Sequence, residues 1–437
     1  MIGGVQNIGR ITELRQRILF TFGMLAVYRI GAFIVTPGID PDVVRSFFEQ
    51  MQGTVFGLFT LFSGGALEQL SIFSLGIMPY ISASIIFQLL TVVIPQLEEL
   101  KKEGEQGQRR INQFTRYATI GLALFQSALL AVALERGQFG EGAVIEPGWG
   151  FRIMCMITLT SGTAFIMWLG EQITERGIGN GISMVIFASI IISIPSALSQ
   201  LFQLIRTDQF SLIQTLFLAL LALVIIFLVI IVERGQRRIP IQHARRVVGK
   251  RVQQGGMTYF PLRVNTAGVI PAIFASSLLM FPLTIGQFSE QGGAIQTFVD
   301  TYLDPSSFAY QLVYIALIIF FCYFYTAIMI NPVDVAENIK RSGAYIPGIR
   351  PGKKTAEHID RILTRVTLIG AIYMSAVCVL PTILAVRMGV PFFFGGTALL
   401  IVVGVGLDTI SQIEAHLVSR QYEGLATGTR VRGRLQR

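Results

Sequence analysis

Two short words in this sequence carry residue types that bind phosphate. Residues 177–183 read GIGNGIS and residues 348–355 read GIRPGKKT. Closely spaced glycines let backbone N–H groups point at an anion, and a neighbouring lysine adds charge. Both words depart from the working patterns. The first lacks a third glycine at the right spacing, has no preceding strand and leads straight into an apolar run, so it reads as a tight loop between helices. In the second, Pro347 stands where the first glycine of a phosphate loop belongs. There is no HExxH word, and His243, His358 and His416 lie far apart. Serines occur inside apolar runs, but no histidine or acid shares those runs to activate them as nucleophiles. No catalytic residue, metal or cofactor is expected, and any work the protein does must draw its energy from a partner.

The elements that carry these words are set by hydropathy. With 437 residues, 52% hydrophobic and only 14% charged, and a mean hydropathy of +0.61, the chain holds more apolar surface than one soluble core can cover. Apolar runs of about 17 to 25 residues are membrane spans. Ten are predicted, at 18–36, 71–94, 117–134, 153–170, 182–202, 212–232, 266–286, 309–330, 366–386 and 392–407. The first lacks a small-residue cleavage site and reads as a retained span. Lysine and arginine mark the inner side. With a cytoplasmic N-terminus, 29 of the 35 fall in inside segments and 5 in outside loops, the remaining one being Arg29 within the first span. Both termini are therefore predicted to be cytoplasmic. Cys155, Cys322 and Cys378 all fall within spans and read as core residues, not a disulfide framework.

Arg29 is the only one of the 61 charged residues placed inside a span. Ion-coupled transporters keep intramembrane carboxylates or histidines for their relays, so a secondary transporter of a small solute is the weaker alternative to a passive pathway.

One apolar word repeats. GIMPYISAS at 76–84 returns as GVIPAIFAS at 268–276, and IFAS stands again at 186–189. The two longer copies fall in the second and seventh spans, five apart, so the second copy enters the membrane from the opposite side, as in an inverted repeat. Ile81 and Ile85 stand one turn apart, as do Ile186 and Ile190, with Ile273 and Ile401 on corresponding later spans. For any single isoleucine, lipid or core packing is the plainer account. Across two inverted halves the set also describes a hydrophobic constriction, which blocks water and ions by dewetting. Ser82, Ala83 and Ser84 in one copy and Ala275, Ser276 and Ser277 in the other allow close helix approach, either as ordinary packing or as a seam that opens, with Pro79 and Pro271 weakening the backbone beside it.

Five longer words carry a resemblance: FSGGALEQLSIFSLGIMPYISASII (62–86), LEELKKEGEQGQRRINQFTRY (97–117), TERGIGNGISMVIFA (174–188), NTAGVIPAIFASS (265–277) and RSGAYIPGIRPGKKTAEHIDRI (341–362). Together they resemble the SecY family of protein-translocation channels, which includes the eukaryotic and archaeal translocon alpha subunits, from the first span to the last. The resemblance implies an all-α integral membrane protein of ten transmembrane helices in two inverted halves of five. The halves would be 1–202 and 212–413, joined by an external hinge loop at 203–211 and followed by a basic cytoplasmic tail at 414–437.

It further implies a pore ring of Ile81, Ile85, Ile186, Ile190, Ile273 and Ile401. A re-entrant plug half-helix is expected before span two, covering about 61–70 with Phe62, Ser63, Gly64, Gly65, Ala66, Leu67, Glu68 and Gln69, within a watery funnel. A lateral gate would carry Pro79, Ser82, Ser84, Pro271, Ser276 and Ser277. Unfolded polypeptides and signal peptides would thread the ring, or leave sideways into membrane lipid as transmembrane segments. The basic loops 233–265 and 331–365 are long for charge placement alone. By resemblance they dock the ribosome or the SecA motor through Arg245, Arg246, Lys250, Arg251 and Arg350. Small membrane subunits of the SecE and SecG type and a place in the cytoplasmic (inner) membrane complete the expectation.

Overall fold

The structure is a computed structural model that describes residues 12–428 except 51–62, 141, 208–210, 244–245, 249–250, 254–255, 288–292, 294–297, 300, 304–306 and 389–395. Phe62, Arg245, Lys250, the 208–210 stretch of the expected hinge and the end of the tail lie outside the described residues. Two compact units form. The first takes in the chain up to Gln52, Phe56–Ala197 and Val405–Arg437; the second takes in Leu198–Gly404.

In the first unit α1 (Thr12–Gly31) and α2 (Pro41–Gln50) precede a stretch of turns. Then come α3 (Met78–Val93), α4 (Pro95–Lys102), α5 (Glu105–Glu135), α6 (Trp149–Arg176) and α7 (Gly181–Arg206), the last of these up to Ala197. α3 packs on α5, α5 on α6, and α1 on α6. The expected second span begins at Ser71, but the helix begins only at Met78. Gly76, at φ 56°, turns the chain just before it, and residues 64–70 and 72–77 form turns, not a half-helix. Pro79 is in the first helical turn, where a missing N–H breaks no helix bond; it starts the helix and does not weaken it. Pro95 ends α3, and α4 leaves at 97°. A Cβ on Gly107 would stand 1.6 Å from the Leu100 carbonyl oxygen, so only glycine lets α4 fold back onto the start of α5.

The second unit carries α8 (Leu212–Arg234), β1 (Gln236–His243), β2 (Arg246–Val248), β3 (Arg251–Gln253) and β4 (Met257–Arg263). It continues through α9 (Ile270–Gln287), α10 (Phe308–Met329), α11 (Pro332–Arg341), β5 (Ala344–Tyr345), α12 (Lys353–Met388) and the start of α13 (Gly396–Gly428). α9 packs on α10, α10 on α12, and α11 on α12. The all-α expectation is corrected here. The basic loop at 233–265 is an antiparallel hairpin, β1 on β4 with Ile239 opposite Phe260, and β5 joins the other edge of β1. Its strands form because Ile239 and Ile241 alternate with more exposed neighbours, so one face of the ribbon is apolar.

That face is covered. Ile239 and Leu262 join Ile346 and the α12 residues Ile359, Ile362, Leu363 and Val366 in one buried cluster, the four α12 positions lying on one helical face. The hairpin and loop 331–365 are thus a single packed body. Ile359, at 0% exposure, anchors it. Ile359→Ala is expected to cost about 2–5 kcal/mol, checked as early proteolysis within 233–265 while the membrane helices stay protected.

Six described helices are long and apolar enough to cross a membrane, or seven if the bent pair α3–α4 is one span. Of the others, α1 carries Glu13 and Arg29 and also Arg15 and Arg17, and α7 and α9 are apolar helices that run on through Pro195 and Pro282. The final helix continues to Gly428, well into the segment expected to be a tail.

Candidate functional site

The stretch that opens SGGALEQL is held on three sides within the first unit. From α1, Arg29 Nη1 donates to the Gly64 carbonyl at 3.0 Å while its guanidinium lies 4.4 Å over the Phe33 ring. The Tyr28 hydroxyl lies 3.1 Å from the Ser63 carbonyl and 2.7 Å from Ser189 Oγ on α7. Gly64, at φ 64°, lies so near α7 that a Cβ would meet Ser189 Cα at 3.0 Å. Further on, Thr36 N donates to the Leu70 carbonyl and Ile72 N to the Ile34 carbonyl, each at 2.9 Å. Phe73 stacks between Tyr28 and Phe165, at 5.8 and 6.0 Å.

Two glycines make this seat. A Cβ on Gly31 would fall 2.1 Å from the Phe73 ring, and one on Gly162 of α6 would fall 1.8 Å from the Ile72 carbonyl oxygen. The segment's polar groups are met by protein: Ser71 N donates to Ala66 O and Leu67 N to Ser63 Oγ. Ser63, Gly64, Ala66, Leu67 and Leu70 are buried, while Gly65, Glu68 and Gln69 are half-buried. Packing against α1, α6 and α7 covers one side of the stretch, and Gly65, Glu68 and Gln69 keep part of their surface exposed.

The six isoleucines are all buried, between 0% and 7% exposed. Ile81 and Ile85 sit on α3, and Ile186 and Ile190 sit on α7 of the first unit; Ile273 on α9 and Ile401 on α13 belong to the second. The repeated word has a repeated geometry. Gly268 has φ 63° two residues before α9, as Gly76 does before α3, and Pro271 takes the second helical position, as Pro79 does. Ala83 and Ala275 are both fully buried. Each copy's helix then packs on the next long helix, α3 on α5 and α9 on α10. Of the seam serines, Ser276 bonds its own helix at Ile273 O and Ser84 accepts from Gln88 Nε2; Ser82 is half-buried and Ser277 is buried.

Comparison with known proteins places this geometry. The SecY family model matches residues 71–410. The chain is 49% identical over 427 residues to protein translocase subunit SecY of Escherichia coli (strain K12), covering 97% of this chain and 96% of that one. The chain belongs to the SecY family. Solved structures share the fold at low identity. A protein-conducting channel structure superposes with a TM-score of 0.68 at 17% identity, over 93% of both chains. A SecY structure, whose plug domain is described as stabilising the closed state of the translocation channel and maintaining a membrane seal, gives 0.65 at 18% identity, again over 93% of both. Sec61 in the canine ribosome-channel complex from the endoplasmic reticulum also gives 0.65, at 16% identity and over 93% of both.

In this SecY-family chain the GIGNGIS word is structural. Ile178 N donates to Thr21 Oγ1, Gly179 N to Gln412 Oε1, Gly181 N to Thr174 Oγ1, and Ile182 N to Asn180 Oδ1, so the N–H groups that would cradle a phosphate are taken. A Cβ on Gly181 would lie 1.8 Å from the Gly170 carbonyl, so that glycine serves the close crossing of α6 and α7. Arg350 is exposed in a turn between Gly348 (φ 81°) and Gly352 (φ 102°), its carbonyl held by Thr355 Oγ1 at 3.0 Å. Arg246 and Arg251 lie on the short paired strands β2 and β3. The residues missed from the sequence are Tyr28 and Ser189. Ser189 closes the IFAS fragment, a signal that was visible, whereas its partner lies 161 residues away.

Proposed function

We propose that this chain is the central subunit of a protein-conducting channel in the cytoplasmic membrane. It passes unfolded secretory polypeptides across the bilayer and releases transmembrane segments sideways into lipid. The single observation that carries the reading is a set of six buried isoleucines, five of them on helices that hold the repeated word or its IFAS fragment, in a chain that belongs to the SecY family across its length. In this reading ten spans form two inverted halves with both termini cytoplasmic, supported by the matched turns at Gly76 and Gly268 and by the basic bias of the inside segments. The isoleucine ring seals by dewetting and by fit, coordinating nothing. Residues 63–70 act as the plug, supported by their close seating against α1 and α7. Helices α3 and α9 line the lateral gate.

The packed body of hairpin and loop 331–365 is the docking platform. Its arginines suit ribosomal RNA phosphates or an acidic motor surface, and the likeness to Sec61 in a ribosome-channel complex supports the ribosome as one partner. SecA would supply the driving energy, and SecE- and SecG-type subunits would complete the channel. The test places single cysteines at Ile81→Cys and Ile273→Cys and stalls an export substrate in transit. Crosslinks to the substrate at both are expected. Their absence, while cysteines in the cytoplasmic loops react, removes the pore ring.

A further inference from the structure

We propose that Tyr28 and Ser189 form a two-position hydroxyl latch that holds residues 63–70 shut and can release them without stranding its own hydroxyls. The proposal rests on the reading of that segment as the plug and goes beyond it by naming what holds it. The observation is a count of hydrogens. Three oxygen–oxygen contacts meet at this point: Tyr28 Oη to the Ser63 carbonyl at 3.1 Å, Tyr28 Oη to Ser189 Oγ at 2.7 Å, and Ser189 Oγ to the Val185 carbonyl at 2.9 Å. Two hydroxyls serve them, and each has one hydrogen. Only two of the contacts can be hydrogen bonds at one time.

Two arrangements use both hydrogens. In the first, Tyr28 donates to Ser63 O and Ser189 donates to Tyr28. In the second, Tyr28 donates to Ser189 and Ser189 donates back along its own helix to Val185 O. A third, with both hydroxyls donating outward, leaves two oxygens 2.7 Å apart with no hydrogen between them. The Tyr28–Ser189 contact thus persists while its direction reverses. The first arrangement bonds the segment; the second lets it go and leaves no hydroxyl hydrogen unused in a site where Tyr28 is 2% and Ser189 0% exposed. Ser189 adjoins Ile190 and lies three residues from Ile186, so an α7 displaced at those isoleucines carries the latch with it. Arg29, bonded to the next carbonyl at Gly64, is half-buried, so solvent can take over that bond as the segment leaves.

The reversal gives two conservative variants different effects. Tyr28→Phe removes one bond from each arrangement: in the first the bond to Ser63 O is lost and Ser189 turns back to Val185 O, and in the second the bond from Tyr28 to Ser189 is lost, so the balance hardly moves. Ser189→Ala leaves Tyr28 donating to Ser63 O but gives it no acceptor once the segment departs, so the closed state loses one bond and the open state two. At the usual net worth of one hydrogen bond that shift is about fivefold. The measurement is single-channel opening frequency of the intact channel complex in planar bilayers with a signal peptide added. Ser189→Ala is expected to lower it about fivefold, Tyr28→Phe to leave it near the native value, and the double variant to follow Tyr28→Phe. A Ser189→Ala effect that persists in the double variant, or equal shifts from both single variants, overturns the latch, because packing loss at Ser189 does not need the Tyr28 hydroxyl. A chain lacking residues 64–70 serves as reference. If it opens freely without peptide while the two variants fail to diverge, only the latch is lost; if it stays closed, the plug reading fails as well.

Discussion

Gly162→Val is expected to unseat residues 72–73 and, with them, the segment proposed as the plug. The β-carbon would begin 1.8 Å from the Ile72 carbonyl oxygen and 2.8 Å from its carbon, both backbone atoms with no rotamer to turn away. Relief requires the segment at 72–73 to move off α6 by more than an ångström. That movement breaks the 2.9 Å bond from Ile72 N to Ile34 O and unstacks Phe73 from Tyr28 and Phe165. The cost exceeds the about 1–3 kcal/mol of ordinary overpacking, and it falls on the seated arrangement, where α6 and the segment touch. Planar-bilayer recordings should show persistent opening without signal peptide, or the chain should be cleared from membranes. Gly121→Ala, on α5 with nothing within 4 Å of its β-carbon, should behave as the native chain. A Gly162→Val channel as silent as Gly121→Ala would contradict the seat.

Arg350→Glu is expected to reduce export by more than about tenfold without lowering the amount of protein in the membrane. The side chain is exposed, and the turn that presents it is fixed by Gly348, Gly352 and the Thr355 bond to the Arg350 carbonyl, none of which depends on the guanidinium. Reversing its sign at an anionic partner replaces attraction by a repulsion that can reach several kcal/mol, against about 1.4 kcal/mol per tenfold. Arg350→Lys keeps the charge but loses the planar fork and should fall between the two. Secretion assayed beside membrane abundance separates docking from folding. Normal export by the Glu variant would remove Arg350 from the docking surface.

What could be read from the sequence follows the range of the forces involved. The apolar runs mark helices because burial against lipid or protein depends on local composition, and the GIMPYISAS echo put Gly76 in register with Gly268 and Pro79 with Pro271; that these are turns and helix starts, not weak points, comes from the folded chain. Helix limits were less legible. Ser71 looked like the start of a span, but Gly76 and the pull of Phe73 into its stack delay the helix to Met78. The β-hairpin was missed although its alternation at Ile239 and Ile241 was present, because charge dominated the reading of that loop. The Tyr28–Ser189 contact joins residues 161 apart and has no local signature. Gly64 and Gly65 are legible as members of the expected plug; that Gly64 must lie against Ser189 emerges only from the folded chain.

One consequence of the packed body of hairpin and loop 331–365 is mechanical. Ile359, Ile362, Leu363 and Val366 belong both to its core and to α12, a helix of 36 residues and hence about 54 Å long. A load applied at Arg350 therefore meets no slack joint before reaching that rod. The interdigitated isoleucines convert a sideways push at the turn into torque on α12, as a handle turns a shaft.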